Sequence, residues 1–479
     1  MRRPSIDGRG HGALRDRRQL SSFALATFSL ALICSLAAAG DASAQLVDED
    51  GDGFAVAKVG ALLDSNGIAF DEASDKAYVA STYGGITVAD MNTGRYLRTL
   101  DISRSAVTPN GVGFAGGKLY VGTLHDVVVV DPDDGSVTSR VSRPFFAGSI
   151  ESEFAVSPDG HRVYAAAGCS TVLLVIDAAT ESEEAIIPVG PNCNRIALSP
   201  DGHTAYLTNK EAGLLWAVDL DARTVIEAVP IASRTILDFP CDVDVSPTSG
   251  NVYVSWVGSD YDARVTEFTS GLSQLRTFET GRFSTGLDVS PDGRFALLGA
   301  GLVLDVAEGL FVGDLPLPQN GISEVAFRSD SNAAVVTHDA ERAVQIASGF
   351  SPPLRASGST RMGGRLEFTI ELPAAAGSEF QLVASNTTED GFPACTGIVF
   401  PLDLDPLFQL TRSGGGTFTT WSGRLDGGGR GRASITLTRD LPIRGAGFPI
   451  SIAFATFEGG RGRFDVARVS NTITAWVKP

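Results

Sequence analysis

The chain has 479 residues, a formal charge of −18 with histidine neutral, and 54 glycines against 3 methionines. Length allows roughly two to three domains, and the glycine and proline content describes many short elements joined by tight turns, which excludes a helical bundle and wholesale disorder. The acidic balance excludes nucleic acid as a partner, because backbone phosphates need Lys and Arg to neutralise them.

The first segment reads as an address. Arg2, Arg3, Arg9, Arg15, Arg17 and Arg18 form a basic start, an apolar stretch runs from Ser21 to Ala39, and Ala42-Ser43-Ala44 supplies small residues for a signal peptidase. Residues 1–44 are therefore expected to be a signal peptide cleaved after Ala44, placing the mature chain in the periplasm or outside the cell. No second long apolar run follows, so no transmembrane segment is expected in the mature chain.

Residues 45–53 form an acidic linker. Within it Asp48, Asp50 and Asp52, followed by Gly53, match the opening of a calcium loop. The twelfth position would be Val59, where an EF-hand needs a bidentate Glu, so a full EF-hand is excluded. A looser calcium site and a solvated acidic linker both remain open, and calcium is the one cofactor the sequence admits.

Residues 54–348 repeat. Tyr78, Tyr120, Tyr164, Tyr206 and Tyr253, with Ala296 and Ala334 in two degenerate copies, recur at spacings of 42, 44, 42, 47, 43 and 38 residues. Each copy carries four short apolar runs, and a period of this length with four strands per unit marks a β-propeller blade. Ser157-Pro158-Asp159-Gly160, Ser199-Pro200-Asp201-Gly202 and Ser290-Pro291-Asp292-Gly293 sit between the first two strands of their copies. There Pro presets φ, Asp bonds back to the backbone, and Gly takes the left-handed conformation. The seventh copy supplies three strands, and 55–60 precede the first complete copy, so 55–60 are expected to close the ring as the outer strand of blade seven.

The stretches Ala77-Tyr78-Val79-Ala80-Ser81, Lys118-Leu119-Tyr120-Val121-Gly122 and Ala155–Gly160 with Val163-Tyr164 resemble the seven-bladed propellers with YVTN-type repeats, relatives of the lactonase-like propellers. The resemblance implies a seven-bladed β-propeller and places ligand sites at one mouth of the central channel. It names no function, since this scaffold hosts many.

The rhythm stops after 348. Residues 349–362 read as a linker, and short alternating strands with glycine turns over 363–479 suggest a small β-sandwich. That stretch resembles sandwich modules appended to secreted proteins, which implies attachment rather than catalysis. The expected fold is thus all-β, a seven-bladed propeller followed by a sandwich.

Candidate chemistry is sparse. Asn66, Asn110, Glu153, Arg195, Asp242 and Glu324 each stand just before an innermost strand and are expected to converge on one channel mouth, where they either bind a ligand or hydrate the channel. The mature cysteines are Cys169, Cys193, Cys241 and Cys395. Cys169 and Cys193 fall on one face of neighbouring blades, so a Cys169–Cys193 disulfide is expected in an oxidising compartment. His125-Asp126 and His338-Asp339 lie in polar loops and read as surface features rather than catalytic pairs. The dinucleotide-like Gly111-x-Gly113-x-x-Gly116 has no following helix, and no GxSxG, HExxH or P-loop occurs. The reading that results is a monomeric secreted or periplasmic binding protein for a protein or carbohydrate partner, with a lactonase-like hydrolase as the alternative.

Overall fold

The computed structural model describes residues 55–476 except 62–64, 82–84, 94, 103–108, 124, 143–151, 169, 232–238, 259–262, 316–323, 331–332, 339–342, 349–353, 386–391, 394–398, 401, 403–421, 438–448, 458–465 and 470. The expected signal peptide at residues 1–44, the acidic linker with Asp48, Asp50 and Asp52, and Cys169 and Cys395 lie outside the described residues.

The repeats fold as four-strand antiparallel units, in the first of which Ser65–Asp71, Lys76–Ser81, Gly85–Asp90 and Arg95–Leu100 pair in chain order. Seven such units occur among the described residues. Their innermost strands are Ser65–Asp71, Val112–Ala115, Ser152–Val156, Cys193–Leu198, Phe239–Val245, Leu287–Val289 and Val325–Phe327. Each innermost strand packs beside the next, and Val325–Phe327 returns to Ser65–Asp71, so the units close into a propeller around a channel.

The sequence signals have local causes. In the first of the Pro-Asp-Gly turns Ser157 Oγ donates to Asp159 Oδ1 at 2.5 Å, and the Gly160 N–H donates to Ser157 O at 2.8 Å with φ at +72°. The recurring tyrosine is buried between sheets. Tyr120 Oη donates to Ala178 O of the following blade at 3.2 Å, and Tyr206 Oη donates to Ser270 O at 2.8 Å. Each ring therefore fills the gap between two sheets while its hydroxyl pins the outer turn of the neighbour, which keeps the buried phenol satisfied.

Ala55–Ala61 pairs antiparallel with Ala343–Ser348, from Ala55 opposite Ser348 to Ala61 opposite Ala343. It forms the outer strand of blade seven, as the ring-closure argument expects. The closure ties the two ends of the ring by backbone hydrogen bonds and covers a strand edge.

The C-terminal region departs from expectation at its start. Leu354–Gly358 lies inside the expected linker 349–362 yet forms a strand, paired with Arg365–Glu371. Its alternation explains this, since Leu354 and Ala356 are buried while Arg355 and Ser357 face outward. Arg430–Thr436 completes this three-stranded sheet. A second sheet is built from Glu379–Ser385, Pro449–Phe457, Ile473–Trp476 and shorter strands. It is continuous with blade six, because Thr474 pairs with Phe311 on that blade's outer strand. Leu297, Val312, Leu354, Phe368, Leu382 and Phe454 share one apolar core spanning blade six and the sandwich. Buried Asn471 joins them, accepting from the Leu354 N–H at 2.8 Å and donating to the carbonyls of Leu354 and Val312.

Deleting residues 45–60 should lower the melting temperature by at least about 5 °C, because blade seven loses its outer strand and the ring its closure. Differential scanning calorimetry of the mature chain checks this, and an unchanged melt would count against the latch.

Candidate functional site

The innermost strands share a short pattern. Six of them present, at the first channel-facing position, Gly67, Gly111, Glu153, Arg195, Asp242 and Glu324, with Gly286 at the corresponding place in blade six. Side chains of a strand alternate, so the residue two further on faces the channel again. That second layer holds Ala69, Gly113, Ala155, Ala197, Asp244, Asp288 and Ala326.

Four of the six expected residues meet. Glu153, Arg195, Asp242 and Glu324 line one cavity of about 250 Å³, with Gly67, Asp244 and Asp288 also in its wall. Asn110 does not line it. Asn110 is buried one position before the channel layer, with its N–H donating to Gly122 O at 2.8 Å and its carbonyl accepting from Ser152 N at 2.9 Å. Gly111 stands where the expectation placed a polar side chain, and the reason is steric. A Cβ on Gly111 would lie 2.1 Å from Ser152 O, so only glycine lets the blade-two and blade-three strands approach this closely. Asn66 holds the equivalent place in blade one, beside Gly67, and its side chain lies outside the described residues.

Arg195 is the centre of the cluster. Its guanidinium reaches from blade four to blade seven and donates both terminal nitrogens to Glu324, at 2.9 and 2.6 Å. Glu153 lies 3.8 Å away on the other side. Burial works against the arginine's charge, but Glu324, Glu153 and Asp242 together hold it well above its ordinary pKa. The fork geometry makes this a strong bidentate pair.

The carboxylates also serve the backbone. Glu153 Oε2 accepts the Ile196 N–H of the next blade at 2.6 Å. Asp242 accepts the Leu287 N–H of the next blade at 2.9 Å and its own neighbour's, Val243, at 2.9 Å. Asp244 accepts the Val289 N–H at 2.7 Å, and Asp288 accepts the Phe327 N–H. One rule covers all four. A channel carboxylate in one blade takes the N–H of the residue one position further along the innermost strand of the next blade.

Burial pushes Asp242 up to about 7. Glu153 is raised well above the carboxylate range, by loss of water and then by Asp242. Burial and then the neighbouring Asp244 push Asp288 up strongly, and burial raises Asp244 as well, the two carboxyl groups being hydrogen-bonded to one another. Asp244 and Asp288 escape a reading that looks only at the blade-entry loops. Their signal was the Asp-x-Asp alternation from Asp242 to Asp244 and the equivalent placing of Asp288 in the following copy.

The expected Cys169–Cys193 bond is corrected. Cys193 is a buried free thiol. Its side chain packs with Ile196, Leu207 and Trp216 between blades three and four, rather than toward the loop face. Burial raises its pKa to about 12, so it is an inert packing residue. Among the described residues no group of three or more His, Cys, Asp or Glu is arranged to hold a metal, and no helix is long and apolar enough to cross a membrane. His161 and His203 are exposed turn residues, paired with Asp159 at 3.2 Å and Asp221 at 2.7 Å.

Comparison with known proteins bears on the fold alone. No family model matches the chain, and no curated protein matches it. Among solved structures, a hydrazine synthase chain from Kuenenia stuttgartiensis superposes with a TM-score of 0.50 at 15% identity, over 60% of this chain and 95% of that one. At this identity the likeness supports a β-propeller and carries no activity across.

The channel acids fix a pH dependence. An unfolded chain releases its carboxyl protons near pH ~4, whereas Asp242 holds its proton to about 7. Between those values the folded state binds more protons, so this contribution to stability is full at low pH and lost as pH rises through about 7. Surface turn carboxylates such as Asp159, held down to about 2 by Ser157 and the His161 N–H, act oppositely, and their contribution is lost only in strong acid. The melting temperature should therefore peak near pH ~4 and fall from there toward pH ~7. Asp288→Asn should flatten the descending limb. A melt that rises from pH ~4 to ~7 would contradict the assignment.

Proposed function

We propose that this chain is an extracytoplasmic binding or scaffold protein of the YVTN-type propeller class, which offers its channel mouth and surrounding loops to a protein or carbohydrate partner. The observation that carries this reading is the commitment of the channel acids. Glu324 is held by Arg195, Glu153 by Arg195 and a backbone N–H, and Asp242 by two backbone N–H groups. A general base or nucleophile is aimed at the reacting atom by a second catalytic group, whereas these carboxylates are aimed by the scaffold, with their remaining lone pairs left to a partner's donors.

A cavity of about 250 Å³ is also small beside typical small-molecule sites. It has room for one side chain of a partner or one sugar ring, offered as a donor to walls made mainly of acceptors. The export signal expected at residues 1–44 fits a partner met outside the cytoplasm. A calcium site at Asp48, Asp50 and Asp52 would add a rigid N-terminal element next to the latch strand.

One observation favours a second reading, a lactonase-like hydrolase. Asp242 has its pKa near 7 and lines the cavity, which are the properties of a proton-transfer group. Two assays separate the readings. In the binding reading, a glycan array and immobilised mature chain should find a specific partner, and Glu153→Gln should weaken it roughly tenfold. A lactone and ester hydrolysis screen, run with and without calcium, should be silent. Turnover abolished by combining Asp242→Asn with Glu324→Gln would overturn binding in favour of catalysis.

A further inference from the structure

The outer face of the three-stranded sheet carries a second concentration of charge, of the opposite sign to the chain as a whole. Arg355 lies opposite Thr369, and Thr369 lies opposite Arg432. The three residues therefore form one row across three strands, with the two arginines about two strand spacings, or ~10 Å, apart. Leu354, Ala356, Phe368, Ile370 and Ala433 face the core, so the row faces outward.

Neighbouring arginines on this face are already spent. Arg365 pairs with Glu367 at 3.6 Å and donates to Ser434 Oγ at 2.8 Å, and Arg430 pairs with Glu371 at 3.3 Å. Arg355 and Arg432 have no ion-pair partner among the described residues. Arg355 Nε is closed off from solvent and makes no hydrogen bond. A buried guanidinium N–H without an acceptor is costly, more so because it is charged.

A further cation lies within electrostatic reach of Arg355. Arg294 follows the Pro-Asp-Gly turn of blade six and lies over the Phe295 ring, 4.6 Å from its centroid. Burial and then the charge of Arg355 lower its pKa, although Asp305 and Asp292 oppose this. Two like charges within electrostatic reach of one another, one of them with an unsatisfied donor, favour a counter-charge on this face. A planar carboxylate is satisfied by one arginine fork. Donors converging from two arginines and a threonine hydroxyl suit a tetrahedral anion better.

We propose that Arg355, Thr369 and Arg432 bind a tetrahedral oxyanion, a sulfate or phosphate group. The group comes either as the free ion or as an ester on a sugar. This inference does not rest on the channel reading, and its failure leaves that reading intact.

Isothermal titration and thermal shift on the mature chain test it, with sodium sulfate, sodium phosphate, sodium acetate and sodium chloride at matched ionic strength and a monosaccharide sulfate ester as a separate arm. Saturable heat and a rise in melting temperature are expected with sulfate or phosphate, and neither with chloride nor, at the same concentration, with acetate. Tighter binding of the ester than of free sulfate assigns the sugar-borne source, and equal or weaker binding assigns the free ion. Arg432→Gln, at an exposed position, should weaken binding roughly tenfold, and Arg355→Gln at least as much. Arg365→Gln should leave it unchanged. If Arg355→Gln does not fold, Arg432→Gln decides. Chloride reproducing the shift, or sulfate affinity unaltered in Arg432→Gln, would overturn the site.

Discussion

A ring of sheets leaves one problem that its own ladders cannot solve. Every innermost strand turns one edge of N–H and C=O groups toward the gap between blades, and a dry, unpaired backbone group costs about as much as a lost hydrogen bond. This chain answers in two ways. Between blades two and three, glycine removes the obstacle, and the strands bond directly through Ser152 N–H and Asn110 O. From blade three to four and from blade five through seven, carboxylates reach across and take the N–H of the next strand. The acidity of the channel follows from that second solution. So do the raised pKa values, because a carboxylate placed to satisfy buried amides must itself leave water.

The same constraint shapes the channel mouth. Asp242 sits in a cavity with a near-neutral pKa, a pattern that marks active sites and structural networks alike. Both of its oxygens accept backbone N–H groups, which ties it to the scaffold. Arg195 plays a comparable part on a longer span, bridging blades that are not neighbours. Breaking that pair would strand a buried charge, at a cost of about 3–5 kcal/mol.

Much of the propeller was legible because its causes are local. The tyrosine spacing, the Ser-Pro-Asp-Gly turns and the three-strand final copy each report contacts within a blade or to the next one. The channel was half legible. Glu153, Arg195, Asp242 and Glu324 were visible as polar residues interrupting apolar strands, whereas Gly67 and Gly111 mark the channel layer by lacking a side chain, so the asparagine beside each drew the reading one residue off. Asp244 and Asp288 lay inside the strands, where period-two alternation rather than loop position reveals them. The free thiol of Cys193 could not be read from its spacing to Cys169, because which way a strand's first side chain points depends on the register. The strand Leu354–Gly358 and the joining of blade six to the sandwich depend on partners far along the chain, and no local pattern announces them.

That joining sets an order of assembly. The outer strand of blade six, with buried Leu310, Phe311 and Val312, is paired by Ile473–Trp476, which lies far along the chain. Blade seven borrows its outer strand from Ala55–Ala61, which precedes the other six blades. Five blades are built from contiguous stretches, while the sixth and seventh are covered only once these distant strands have reached them. A chain cut short before Ile473 would carry a sticky, half-dressed flank, and that is the stage at which a chaperone has most to protect.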